Sequence, residues 1–298
     1  ASRSGKGKRI WEESVKPILQ RENLSYDVFF SEHAGDVAKL ARQITASIAP
    51  KDVLVILGGD GTVNEALQEI ENPRAVTFAY IPTGSSNDLA RDLRIPKDPR
   101  KALDVILRGK TLAMDMGVLT YPDGYARRFA VSCGIGFDAG VCEEVLRSRL
   151  KVIFNKIGLG KLTYMGIALK QLFAAKKASC ELTLEGSEPI RINRFLFVTG
   201  MVHRYEGGGF KFCPDADPTD GFLNLCAVGD IPKPLVLCAL PTAFFGKHYI
   251  FKGLTPYRVR SFSIKSSVPL WVHTDGEVLP QTDAFSVSCE HGALRIIC

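Results

Sequence analysis

Four stretches of this 298-residue chain combine residue types and spacings suited to chemistry. The first is Gly58-Gly59-Asp60-Gly61-Thr62-Val63-Asn64-Glu65, directly after an apolar run at 53–57. Its three glycines permit positive φ and let a ligand approach the backbone. A glycine turn that runs into a helix offers unpaired N–H groups and the positive end of the helix dipole, which together favour anions. Asp60 would repel bare phosphate, so the turn suggests a nucleotide that carries a divalent cation, rather than only a tight strand-to-helix turn. The second stretch, Pro82-Thr83-Gly84-Ser85-Ser86-Asn87-Asp88, again sets small residues and hydroxyls before a helix. Alone it reads as N-cap chemistry. Two such turns after consecutive strands match the place where doubly wound sheets bind ligands. The third is a loop with Asp215, Asp217 and Asp220, which suits turns or an oxygen-ligated cation. The fourth, Thr274-Asp275-Gly276-Glu277, sets two carboxylates at a strand end and matters only if the fold brings it opposite the glycine turns. His273, like the other histidines, reads as structural.

The elements that must position these groups follow from periodicity. Residues 53–57 and 76–81 read as strands buried on both faces, as in a parallel sheet. A helix from Thr62 presents Val63, Ala66, Leu67 and Ile70 on one side and ends by Pro73. Helices are expected over 10–22, 36–48 and 89–93, and a strand over 26–31. After Gly109 strand patterns dominate, at 111–119, 128–133, 179–184, 191–199, 222–228, 258–265, 270–273, 285–289 and 294–297. That half reads as an antiparallel sandwich with helical insertions.

Composition sets the bounds. Apolar residues make up 46% of the chain, enough for a sizeable core, and the net charge of +6 permits anionic partners without requiring them. No run is long and apolar enough to cross a bilayer, and no signal peptide is visible. The sequence starts at Ala1 without Met, so a few leading residues are expected to be missing. Eight scattered cysteines with no Cys-x-x-Cys argue against structural zinc and read as reduced thiols of a cytosolic protein. Ser4-Gly5-Lys6-Gly7-Lys8 is either a disordered basic terminus or a second phosphate cradle. From 147 to 177, Arg147, Arg149, Lys151, Lys156, Lys161, Lys170, Lys176 and Lys177 occur without an acidic residue. That segment suits either an anionic bilayer surface or a helix pair with a solvated cationic face.

The motifs at 58–65 and 82–91, the Asp217/Asp220 loop and Asp275-Gly276-Glu277, in that order, resemble the diacylglycerol-kinase-type lipid kinases. The likeness is to their bacterial soluble branch, which is related to sphingosine and ceramide kinases. It covers essentially the whole chain. NAD kinases share Gly-Gly-Asp-Gly-Thr, and Asn64-Glu65 favours the lipid-kinase side. The resemblance implies an α/β fold of two domains. An N-terminal α/β nucleotide-binding domain with a parallel sheet, 1–115, would be completed by 284–298. A C-terminal antiparallel β-sandwich domain, 116–283, would bind lipid. It further implies ATP contacts at Ser4, Gly5, Gly7, Ser31, Gly58, Gly59, Asp60, Gly61, Thr62, Asn64, Glu65, Thr83, Gly84 and Ser85. A structural Mg²⁺ would sit on Asp217, Asp220 and the carbonyl of Phe222, and the catalytic groups would be Asp60, Asp275 and Glu277, with Asp275 favoured as base. Two departures are the absence of the Asn-Pro that usually precedes the first loop and the Ser85-Ser86 pair. The expectation is an ATP- and Mg²⁺-dependent lipid kinase, cytoplasmic and peripheral to the inner membrane face, acting on a membrane lipid and binding no nucleic acid. Homodimerisation stays open. The alternatives are an NAD kinase-like phosphotransferase and a non-catalytic membrane-surface or nucleotide-sensing module.

Overall fold

The computed structural model describes residues 6–147, 170, 172 and 178–298. The polypeptide opens with α1 (Lys6–Ile10), a π turn (Trp11–Val15) and α2 (Lys16–Arg21), followed by α3 (Asp36–Ser47). Strand β1 (Val53–Gly58) feeds α4 (Asp60–Gln68), and β2 (Thr77–Pro82) feeds α5 (Asp88–Asp92). The two strands pair in parallel, Val53 opposite Thr77 through Gly58 opposite Pro82, so both turns emerge at the same sheet edge. Helix α6 (Pro99–Arg108) is capped by Asp98, whose side chain accepts from the Arg100 and Lys101 N–H groups.

Ten residues of β3 (Thr111–Thr120) then lead into the antiparallel half. It contains β4 (Ala126–Phe129), β5 (Ser132–Gly136), α7 (Phe137–Arg147), β6 (Ala178–Leu184), β7 (Ile190–Met201) and β8 (Leu223–Gly229). Helix α8 (Lys233–Ala243), β9 (Leu254–Val259), β10 (Ser261–Thr274) and β11 (Glu277–Ile297) complete it.

Strand β11 joins the two halves. Its first part pairs with β10, and its last residues pair in parallel with β2, Arg295 opposite Thr77 and Ile296 opposite Phe78. On its other side β3 runs antiparallel to it, with a register shift between Glu290 and Leu294. One apolar cluster lies on the parallel part, around Ile56, Leu67, Phe78 and Met114. In the antiparallel half every residue of β8 is buried, because both its faces are covered. Leu223, Leu225 and Ala227 enter the inner core, and Cys226 and Val228 face an outer cluster that includes Val236 of α8. Such double coverage explains why the sequence is apolar on both faces from Leu225 to Val228.

The fold class matches the expectation of an α/β half followed by an antiparallel β half. Residues 26–31 differ: they form no strand, and Tyr26, Val28, Phe29 and Phe30 are exposed. Their β-prone composition is not enough, because a strand needs a neighbour to take its hydrogen bonds. All eight cysteines are free thiols. Ser4, Gly5 and most of 147–177 lie outside the described residues; within that segment Lys170 donates to Glu144 Oε1 at 2.7 Å.

Candidate active site

The two glycine turns are in direct contact. The Thr83 N–H donates to the Gly58 carbonyl at 2.7 Å, fixing one turn to the other. A Cβ on Gly84 would lie 2.7 Å from the Gly59 Cα, and one on Gly59 would lie 3.2 Å from the Gly84 Cα. None of Gly58, Gly59 and Gly61 adopts positive φ. Close approach, not left-handed backbone, is therefore what demands glycine here, which corrects half of the sequence argument. The Thr62 hydroxyl accepts the Gly59 N–H at 3.3 Å, capping α4. The buried Thr83 hydroxyl has no hydrogen-bond partner in the protein. With the first N–H groups of α4, which a helix cannot satisfy internally, the paired turns fit a polyphosphate.

Asp60 sits under these turns. Its Oδ2 accepts the Asp88 N–H at 2.8 Å, and the Tyr80 hydroxyl lies 3.4 Å from its Oδ1. Burial, with the nearby Asp88 and Asp275 charges, pushes the Asp60 pKa up to about 7. Asp88 is buried, which raises its pKa as well, although it accepts the Gly208 N–H at 2.7 Å and pairs with Arg91. Two inward carboxylates that resist ionisation suit a divalent cation, whose charge removes the penalty.

The third component arrives from the other half. β10 and β11 are joined by a two-residue turn with Thr274 opposite Glu277, and Asp275 and Gly276 have φ of +50° and +80°. Asp-Gly favours such a hairpin turn. The Asp275 Oδ1 accepts from the Val131 and Ser132 N–H groups at 2.8 and 3.0 Å. Its Oδ2 accepts from the Ala130 N–H and from Asn64 Nδ2, both at 2.9 Å. Burial raises its pKa despite these donors. A carboxylate has about four lone-pair positions, and here four donors fill them. Asp275 is thus held as a clamp, which weighs against the favoured assignment of it as the base. Glu277 faces the glycine turn instead: a Cβ on Gly61 would meet its Oε1 at 2.7 Å. Fully buried Asn64 completes the clamp, donating also to the Arg128 carbonyl at 3.1 Å and accepting from Arg127 at 2.8 Å.

The structure thus gathers Gly58, Gly59, Asp60, Gly61, Thr62, Asn64, Thr83, Gly84, Asp275 and Glu277, with exposed Ser85 at the rim. Other expected contacts lie elsewhere. Glu65 accepts from the Gly35 and Val37 N–H groups at 2.7 and 3.2 Å, so it anchors the start of α3. Gly7 is in α1, and Ser31 lies in the irregular segment before α3. The aspartate loop is fastened to the β3–β11 register shift by buried Asp115, which accepts the Gly221 and Gly292 N–H groups. Asp217 accepts from the Thr219 N–H and hydroxyl. Asp220 accepts the Phe222 N–H at 2.9 Å and pairs with Arg258 at 2.9 Å. Turn donors therefore take one oxygen of Asp217, and Asp220 divides its oxygens between the Phe222 N–H and Arg258.

Sequence reasoning also passed over Asp88 and a buried cluster behind the hairpin turn. His273 Nε2 lies 3.1 Å from Glu206 Oε1 and 3.3 Å from Asp138 Oδ2. Burial alone would lower the His273 pKa, but the two carboxylates hold it well above the ordinary value. The three residues come from distant positions, and no local spacing announces them. Asp88 did have a signal, since it closes the second turn motif.

Residues 1–119 match the family model of the diacylglycerol kinase catalytic domain. Residues 131–298 match that of the YegS C-terminal NAD kinase beta sandwich-like domain. Among curated proteins, the chain is 28% identical over 299 residues to "Putative lipid kinase YtlR" of Bacillus subtilis, covering 97% of this chain and 94% of that protein. It is 28% identical over 269 residues to "Diacylglycerol kinase" of Mycobacterium tuberculosis, covering 89% and 84%. Among solved structures, "A putative diacylglycerol kinase from Bacillus anthracis str. Sterne" aligns with a TM-score of 0.74 at 20% identity, covering 99% of this chain and 93% of that one.

Proposed function

The chain belongs to the diacylglycerol kinase family of lipid kinases, and from that premise we propose that it transfers the γ-phosphoryl group of ATP to the hydroxyl of a lipid, diacylglycerol first, giving phosphatidic acid. The observation that carries the reading is the meeting of Glu277, from the antiparallel half, with Gly61 of the nucleotide-type turn. It sets a carboxylate where an acceptor hydroxyl and the terminal phosphate of a nucleotide would come together.

In this mechanism the N–H groups of the two turns would hold the phosphates, and Asp60 and Asp88 would hold the magnesium that accompanies ATP. The cation neutralises phosphate charge when bound. Burial makes the Asp60 charge costly, and a cation beside it would offset that cost. Asp275 fixes the hairpin turn through its four donors. Glu277 takes the proton of the lipid hydroxyl as the hydroxyl oxygen attacks the γ-phosphorus, the bond to the β–γ bridging oxygen breaks, and ADP leaves with that electron pair. Phosphoryl transfer depends mainly on alignment and charge neutralisation, so this small set suffices. The acceptor is presented at the inner face of the membrane, which the protein visits peripherally from the cytoplasm. No helix of the described residues is long and apolar enough to cross a bilayer.

The test is a labelled-ATP assay with diacylglycerol vesicles, sphingosine, ceramide and NAD side by side. Labelled phosphatidic acid is the expected product. Transfer only to NAD, or to none of the four, overturns the reading.

A further inference from the structure

Residues 231–274 contain six lysines or arginines and no aspartate or glutamate. Within them, positions 234–246 carry no charge at all. That run is helix α8 and the turn that follows. The helix buries Val236, Ala239 and Ala243, while Pro234, Cys238 and Pro241 face solvent. A surface helix ordinarily carries charge on its outer face, and this one carries none after its first residue, Lys233. Beyond its end, Phe245 and Ile250 are each 76% exposed, more than any other large hydrophobic residue described. Exposed Lys247 and Lys252 flank Ile250.

We propose that this tip is a bilayer-docking surface, in which Phe245 and Ile250 enter the interfacial layer while Lys247 and Lys252 meet anionic headgroups. Aromatic and aliphatic tips with a cationic rim are what an interfacial anchor requires. The charge pattern argues against a second copy on this face. Self-association here would set lysine against lysine, in a segment without one carboxylate to balance them.

The tip is also tied to the proposed active site. The Phe244 ring stacks on Phe210 with centroids 4.0 Å apart, and the Lys211 N–H donates to the Ala243 carbonyl at 2.8 Å. Phe210 closes a tight bridge to Glu206, inside which the Gly208 N–H holds Asp88. Docking therefore happens one short loop away from the carboxylates beneath the glycine turns. The proposal deepens the lipid-kinase reading, and its test uses a readout that needs no catalysis.

The experiment is vesicle co-sedimentation of the full chain, with phosphatidylcholine alone and with phosphatidylcholine containing phosphatidylglycerol. The variants are Phe245→Ser/Ile250→Ser and Lys247→Glu/Lys252→Glu, each checked by circular dichroism. On mixed vesicles the apolar variant should bind at least tenfold more weakly, about 1.4 kcal/mol. The lysine variant should lose the preference for anionic vesicles, and high salt should erase its difference from wild type. Both should phosphorylate a monomeric short-chain diacylglycerol at the wild-type rate. Binding of the apolar variant equal to wild type, or no vesicle binding by wild type, overturns the proposal. So does a wild-type dimer that the apolar variant dissociates while vesicle binding is unchanged. If vesicle binding falls as expected while wild type phosphorylates no lipid, docking stands and the kinase reading fails.

Discussion

Replacing Asp60 by Asn should make the protein more stable and inactive at once. The Asp60 carboxyl has its pKa raised from 3.8 to about 7, first by burial and then by Asp88 and Asp275. For an acid raised in the folded state, the cost to folding is absent below the unfolded pKa, grows as pH rises, and is complete above the folded pKa. Those two values make the full cost about 4 kcal/mol, and about 2 kcal/mol of it is already present near pH 5. Asn keeps an acceptor for the Asp88 N–H and has no charge to bury. The stability advantage of Asp60→Asn over wild type should therefore grow by about 2–3 kcal/mol between about pH 5 and pH 8. Urea unfolding of both proteins at the two pH values, without nucleotide or metal, measures this double difference. Magnesium and ATP should then raise the melting temperature of wild type and leave that of the variant nearly unchanged, and turnover of the variant should be lost. An advantage that does not grow with pH would show that Asp60 is not forced into a repulsive burial, and the argument for a metal partner would fall with it.

Glu277→Gln should lower kcat by ~10²–10⁴-fold while leaving ATP affinity near wild type, because it removes the proton acceptor and keeps the shape of the side chain; full activity would place the base elsewhere. Asp275→Ala strands three backbone N–H groups and the Asn64 amide, so calorimetry should show about 3–5 kcal/mol of lost stability, and an unchanged unfolding midpoint refutes the clamp. Gly61→Ala sets a methyl 2.7 Å from Glu277 Oε1, the end of a flexible side chain. It should fold normally but lose ~10–100-fold in kcat through displacement of Glu277. Because Arg258 already neutralises Asp220, a chelator should leave the apo melting temperature unchanged; a clear fall on chelation would restore a structural cation to that loop.

The parts of the fold legible in sequence are those fixed by local pattern. The strands before both turns read correctly as strands, but only β2 is buried on both faces; β1 leaves Val55 exposed, so its apolar run overstates its burial. The stretch 128–133 reads as one strand, yet it divides into β4 and β5. The Ala130 and Val131 N–H groups turn aside to Asp275, a partner some 145 positions away that no local pattern reveals. Conversely, 285–289 and 294–297 look separate and are one strand, because the register shift opposite β3 absorbs the Gly292 interruption. Glu65 resembles a nucleotide contact in the motif and proves to be an anchor for another helix, a role set by packing. The absence of acidic residues at 231–274 is visible in the sequence, but the exposure of Phe245 and Ile250 is a property only of the folded surface.

Strand β11 begins at Glu277 and ends against β2, where Arg295 pairs with Thr77 across roughly two hundred residues. This imposes an order on assembly during synthesis. Residues 53–92 carry two parallel strands and their helices, but β2 waits for its inner neighbour until residues 295–296, some two hundred positions later, have been made. Contacts this distant in sequence slow folding and leave an open apolar edge in the interval. The strand that closes that edge also begins at Glu277, which meets Gly61. A nascent chain therefore cannot join the phosphate-side turns to their carboxylate, or close that edge, before β11 has been made, so one strand completes both.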